Sequence, residues 1–346
     1  MKKLQAPFPY FGGKSQISDL IWYSLGNVRT YIEPFFGSGA VLLSRPNYDQ
    51  TQHIEIVCDK DGFVANVWRS LQYSPDEVAK WCDWPINHCC LMARKVRMNK
   101  NKDTLLKNLS IDDKWHDPVI AGYWIWAASC WIGSGLNCPN QIPNIGHTGE
   151  GVHKLNKRPD ITGNQIPNIG NTGMGVHKLS QIPDISKIGK GVQEPYNNNI
   201  YTWFRKLSER LRYVKVVCGD WSRVCGGNWQ AKTSSCGIFF DPPYGEKAGR
   251  DNRIYAEESL TVADDVRKWC IKRGDDPNMR IILAGYEGEH EELLKFGWSV
   301  KKWSAGKGYS SLKENEDDKK ANRHKERLWL SPRCIGKQNS FHIFDY

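Results

Sequence analysis

Along the first third of the chain, apolar residues fall in short runs that close on glycine or on an acid. Thr30-Tyr-Ile-Glu-Pro-Phe-Phe36 is one such run; it ends at Gly37-Ser-Gly39 and is followed by the helix-capable Ala40-Val-Leu-Leu43. Ile54-Glu-Ile-Val-Cys58 is a second, ending on Asp59, with a helical pattern behind it from Gly62 to Leu71. A strand, a glycine turn, a helix and a second strand ending on an acid make the nucleotide-binding half of a doubly wound α/β fold.

The same pattern returns in the last third. Tyr213-Val-Lys-Val-Val-Cys218 reads as a strand running into Gly219-Asp220, and Cys236-Gly-Ile-Phe-Phe240 as another running into Asp241-Pro-Pro-Tyr244. Ser259 to Lys272 has amphipathic helical spacing, and Arg280 to Ala284 reads as a further strand. Ser299 to Trp303 and Arg327 to Leu330 predict a terminal hairpin around the charged loop Lys313 to Lys325. Both ends of the chain, residues 1–70 and 201–346, are therefore expected to build one mainly parallel sheet domain.

The middle differs. Residues 74–130 read as helices, the most apolar being Ile120 to Trp131. An internal repeat follows: Gln141-Ile-Pro-Asn-Ile-Gly-His-Thr-Gly-Glu-Gly-Val-His-Lys-Leu155 recurs at residues 165–179 with thirteen of fifteen positions identical, and a decayed copy spans 181–192. Two full copies are too few for a solenoid, and the Pro, Gly and Asn content forbids long helices. A looped or short-stranded surface insertion is expected. Its glycine amides with His147, His153, Lys154, His177 and Lys178 suit phosphate contacts, and a spacer without contacts fits nearly as well.

Composition narrows the function classes. Forty-eight Lys and Arg against thirty-eight Asp and Glu give +10, which suits nucleic acid or an anionic membrane surface as partner. The charge is densest from Met92 to Lys102, making Arg94, Lys95, Arg97, Lys100 and Lys102 the candidate DNA contacts. Trp115, Trp124, Trp126 and Trp131 lie close by, as core or as a stacking surface. No apolar stretch is long enough for a bilayer, and the N-terminal segment lacks the apolar block of a secretory signal. The eleven cysteines are odd in number and show no C-x-x-C pair, so reduced thiols and a cytoplasmic location are expected. His88, Cys89 and Cys90 do not extend to a metal-binding set, and no metal is expected.

Asp241-Pro-Pro-Tyr244 carries the sharpest chemistry. A given four-residue string arises by chance in such a chain on the order of once in a thousand. It follows a strand directly, at the carboxyl end where doubly wound folds place ligands. The carboxylate of Asp241 and a carbonyl of the Pro242-Pro243 segment make a rigid pair of acceptors, because proline fixes its own φ and restricts its predecessor. Such a pair, with the ring of Tyr244 alongside, suits an exocyclic amino group on a planar base. Two acceptors on its two N–H bonds localise the nitrogen lone pair and aim it at an electrophile. Glu33-Pro-Phe-Phe-Gly-Ser-Gly39 is a weaker signal: the glycines admit close approach of backbone to a ligand, but the full G-x-G-x-x-G is missing. Asp59 is placed to accept two ribose hydroxyls. Tyr10-Phe-Gly-Gly-Lys14 lacks P-loop spacing, which argues against NTP hydrolysis.

In this order the motifs resemble the adenine-specific DNA methyltransferases of the Dam family, from Pro7 to about Pro332 apart from the repeats. The resemblance implies a class I S-adenosylmethionine-dependent fold: a doubly wound, mainly parallel seven-stranded sheet with a helical and looped target-recognition insertion at residues 71–200. It implies S-adenosylmethionine contacts from Tyr10, Gly12, Gly13, Lys14, Glu33, Phe36, Gly37, Ser38, Gly39, Asp59, Asp220 and Asp241. It assigns catalysis to Asp241, Pro242, Pro243 and Tyr244, with adenine N6 of double-stranded DNA as acceptor, flipped from the stack. It implies no obligate protein partner and leaves the oligomeric state open. The chain departs where the family carries a short Asn- and Gly-containing recognition loop; here stand Gly133-Ser-Gly-Leu-Asn137 and the repeats, so Asn137 is the candidate for that role and the target sequence does not carry over. The repeats look like those of phage and prophage methyltransferases. From the residues alone, cytosine N4, an RNA base, or a non-catalytic nucleic-acid-binding protein stay open.

Overall fold

The computed structural model describes residues 4–8, 10, 14–85, 87–130, 136, 143–145, 152–154, 200–243, 261–303 and 326–335. The first half runs α1 (Ser18–Leu25), β1 (Thr30–Glu33), α2 (Ala40–Leu43), β2 (Ile54–Asp59), α3 (Gly62–Tyr73), α4 (Pro75–Cys82), α5 (His88–Ile111) and α6 (Pro118–Cys130). A small ribbon of β3 (Pro143–Ile145) and β4 (Val152–Lys154) lies within the first repeat copy. Then come α7 (Ile200–Leu211), β5 (Lys215–Cys218), α8 (Ser222–Cys225), β6 (Cys236–Phe240), α9 (Val262–Arg273), β7 (Met279–Tyr286), β8 (Ser299–Lys302) and β9 (Glu326–Leu330).

Seven strands form one sheet in the order β5-β2-β1-β6-β7-β9-β8. Pairings from β5 across to β7 are parallel, and β9 is antiparallel to both β7 and β8. This is an α/β fold with a mainly parallel seven-stranded sheet, consistent with class I methyltransferases. The terminal hairpin read from the sequence is present, but its second strand inserts between β7 and β8. Leu328 and Leu330 fill one face of the sheet and Trp329 the other, so β9 is buried along its length as a central strand must be.

Local sequence explains the helices that frame the site. Asp61 caps α3 by accepting from the Phe63 N–H at 2.8 Å, and Asn87 caps α5 by accepting from Cys90 N–H at 2.7 Å. Pro75 opens α4, where its missing N–H costs nothing. Ten of the twelve residues of α3 are buried, because it lies between the sheet and the packed helices α4 to α7. One core cluster therefore runs unbroken from Phe8 through α3, α4 and α6 to Leu330, and the division expected at residue 70 falls inside α3. Trp68, Trp126 and Trp329 are fully buried core residues. The ten described cysteines are free. No described helix is long and apolar enough to cross a membrane.

The register sets the carboxyl ends of β5, β2, β1 and β6 side by side: Asp59 pairs with Cys218, Glu33 with Val57, and Ile32 with Ile238. From β1 the chain crosses to β2 on one side, while from β6 it crosses to β7 on the other. The crevice of a doubly wound sheet opens at that reversal.

Candidate active site

A cleft of about 890 Å³, open to solvent, occupies this crevice and is lined by Tyr10, Lys14, Glu33, Phe36, Gly37, Ser38, Asp59, Asp220, Asp241 and Pro243. Residues 200 positions apart in sequence thus share one wall of space. Pro242 is buried beneath its neighbours, and Gly39 caps α2 without lining the cleft. Gly12, Gly13, Tyr244 and Asn137, with most of the 141–192 repeats, lie outside the described residues.

The glycine loop is held from three sides. Gly37 has φ +47°, a conformation glycine tolerates, and a side chain there would meet the Tyr10 ring at 2.7 Å. Its N–H donates to Asp59 Oδ2 at 2.8 Å, and its carbonyl accepts from the Trp68 indole at 2.9 Å. Asp59 accepts a second backbone N–H, from Asp61, at 2.9 Å. Burial, and then the charge of Asp61, push the Asp59 carboxyl up to about 7, against the pull of the two amides.

Lys14 is 4% exposed and its Nζ lies 2.9 Å from Asp241 Oδ2. The pair joins the N-terminal segment to the end of β6. Glu33, beside them, is buried and accepts from the Tyr31 hydroxyl at 2.9 Å. Burial holds its carboxyl well above the usual range; the Tyr31 hydrogen bond opposes this and the charge of Asp241 adds to it. Asp220 Oδ1 accepts from the Ser222 N–H at 2.9 Å and from its hydroxyl, fixing the turn after β5. The Gly219 N–H donates to the Asp59 carbonyl at 2.9 Å, which ties that turn to β2.

Several cleft residues were not singled out from the sequence: Phe35, Lys60, Asp61, Trp221 and Val262. Trp221, edge-on to Phe240 at 5.9 Å and to Trp269 at 6.4 Å, supplies an aromatic wall beside Asp220. Its signal was its position directly after a strand-ending acid. Five acids and two lysines line the cleft, and with the Glu33 and Asp59 carboxyls raised its excess of negative charge is smaller than that count. The acceptors of Asp59 and Asp220, the glycine backbone and the aromatic walls of Phe35 and Trp221 fit S-adenosylmethionine, with its diol, planar base and sulfonium charge.

The basic run on α5 divides. Arg97 and Lys100 are exposed and Lys102 is half-buried. Arg94 and Lys95 depart from the sequence expectation: both are buried, at 5% and 2% exposure. The Arg94 guanidinium lies 4.4 Å from the Tyr123 and Trp126 ring centres and 5.0 Å from that of Trp84, and donates to the Trp81 carbonyl at 2.9 Å. It is a packed structural cation. Helical periodicity turns it and Lys95 inward while its basic neighbours face out.

The model of the D12 class N6 adenine-specific DNA methyltransferases matches residues 10–83. The match spans β1, the glycine loop, β2 and α3, and stops short of the D-P-P-Y segment. A search of curated proteins finds no match. The family match supports an adenine-specific DNA methyltransferase, an enzyme that acts on DNA.

Proposed function

We propose that this protein transfers a methyl group from S-adenosylmethionine to the N6 amino group of adenine in double-stranded DNA, by base flipping and direct in-line transfer. The observation that carries the reading is the meeting of Asp241 with Lys14, Glu33 and the glycine loop in one cleft at the sheet's point of reversal. When bound, S-adenosylmethionine supplies an activated methyl group on a sulfonium centre.

The roles follow from the chain's own groups. Asp59 accepts from the ribose hydroxyls and Asp220 from the adenine amine of the cofactor, while Trp221 and Phe35 cover its base. Lys14 holds one oxygen of the Asp241 carboxylate and so fixes its orientation. Asp241 and the Pro242 carbonyl accept the two N6 hydrogens, drawing the amine toward pyramidal geometry. Tyr244, as the resemblance has it, stacks on the extruded base. A base within the duplex does not reach the end of β6, so extrusion is required. The proton shed by the methylated nitrogen is acidic enough to leave through Asp241 or solvent.

The test is direct. Plasmid DNA incubated with the protein and S-adenosylmethionine is digested to nucleosides and weighed. N6-methyladenine is expected from the wild type and none from a folded Asp241→Ala variant. N4-methylcytosine as the product would replace adenine by cytosine as the acceptor. Full activity in Asp241→Ala would remove the mechanism.

A further inference from the structure

The glycine loop is steered from below by a residue that does not line the cleft. Trp68, on α3, is fully buried, and its ring packs on Phe36 with centroids 4.8 Å apart. A side chain at Gly39 would meet the Phe36 ring at 2.7 Å and the Trp68 ring at 3.1 Å, so the loop is seated directly on the indole. The Trp68 Nε1–H donates to the Gly37 carbonyl at 2.9 Å.

That hydrogen bond has a geometric consequence. The peptide between Gly37 and Ser38 is trans and planar, so its C=O and N–H point in opposite directions. With the carbonyl drawn down to the buried indole, the Ser38 N–H points up, away from the core. Ser38 lines the cleft, and no described hydrogen bond takes its N–H. Gly37, with φ +47° and no Cβ, lacks the steric barrier that would otherwise hold the peptide plane. The indole supplies the missing restraint.

We propose that Trp68 is a positioning residue: by holding the Gly37 carbonyl it presents the Ser38 N–H to the carboxylate at the amino-acid end of the cofactor. The inference rests on the cofactor reading above and deepens it, since it assigns one end of the ligand to one amide. Trp68→Phe keeps an aromatic ring toward Phe36 and removes the donor together with part of the ring area under Gly39; the same loss of ring area without a lost hydrogen bond is what the Trp124→Phe control supplies.

Calorimetric titration with two probes separates positioning from general loosening. S-adenosylhomocysteine carries the amino-acid tail; 5′-methylthioadenosine keeps the adenosine and thioether and lacks the tail. Trp68→Phe is expected to weaken S-adenosylhomocysteine by about five- to tenfold, the worth of one hydrogen bond to a charged group's partner, and to leave 5′-methylthioadenosine within about twofold. Trp124→Phe serves as control, because Trp124 is also buried and its indole nitrogen has no described partner. Equal weakening of both probes, or of neither, overturns the proposal. If Trp68→Phe does not fold, the wild type still decides. Its Ser38 amide resonance must move downfield with S-adenosylhomocysteine and not with 5′-methylthioadenosine, and an unmoved resonance overturns the proposal. Wild type that binds neither probe sinks the methyltransferase reading itself.

Discussion

If Asp59 receives the ribose hydroxyls of S-adenosylmethionine, cofactor affinity must depend on pH in a window where ordinary carboxylates are silent. Burial and the charge of Asp61 raise the Asp59 carboxyl from 3.8 to about 7. In the ligand-free protein the folded state therefore binds the extra proton between those values. The contribution of Asp59 to stability is fully present below 3.8 and is lost as pH rises through about 7. A diol that donates both hydroxyls binds the ionised form better, so affinity must rise with pH and level off above about 7. For a ligand that binds only the ionised form, linkage makes binding about tenfold weaker near pH 6 than near pH 8. Titration of S-adenosylhomocysteine by calorimetry across that range measures it. Asp59→Asn keeps the shape, removes the ionisation, and is expected to bind weakly with a flat profile. A flat profile in the wild type, with intact affinity, would refute the assignment of Asp59 to the diol.

Two further outcomes follow from side chains away from the cofactor. Arg94→Ala removes a buried guanidinium held by three aromatic rings and is expected to cost about 2–4 kcal/mol in urea unfolding, with the salt dependence of DNA binding unchanged. Arg97→Ala and Lys100→Ala, both exposed, are each expected to lower the slope of log affinity against log salt by about 1 with little effect on stability; the reverse assignment of effects would overturn the division of α5. His290 is fully buried against Trp329, and desolvation, with Arg267 adding, pushes its imidazole down to about 3. The unfolded chain binds the proton below 6.5 and the folded chain does not. Stability is thus whole above 6.5 and falls as pH drops toward 3, by about 1.4 kcal/mol per pH unit relative to His290→Leu. Parallel urea-unfolding curves of the two proteins would show that the buried imidazole does not titrate this way.

Much of the candidate site was readable because its residues sit where strands stop. Asp59, Asp220 and Asp241 each close an apolar run, and strands in a parallel sheet end together at one edge. What did not show was anything that depended on which way a side chain turns. Arg94 and Arg97 are three apart in one basic run, yet one is core and the other solvent-facing. The buried Tyr31–Glu33 pair and the hold of Trp68 on Gly37 are likewise contacts between elements, invisible to spacing within either. The place of β9 between β7 and β8 needed its neighbours, since a hairpin's own pattern does not name the strand on its far side.

The chain builds one cleft from two segments separated by the long run of α4 to α6 and the repeats, and the structure shows why that interruption is tolerated. α3 leaves the sheet at Tyr73 and α7 returns beside it. Gln72 Nε2 donates to the carbonyls of Leu211 at 2.8 Å and Val214 at 2.9 Å, and Ser208 Oγ donates back to the Gln72 carbonyl at 2.9 Å. Midway along α7, Arg205 forms two hydrogen bonds with Asp76. Arg210 reaches Glu55 of β2 at 2.6 Å, where the buried Arg45 completes the cluster at 3.2 Å. The two stems are therefore locked side by side on β2 itself, four residues before Asp59. Because loop-closure entropy grows only with the logarithm of length, adding a repeat between such stems costs well under about 1 kcal/mol.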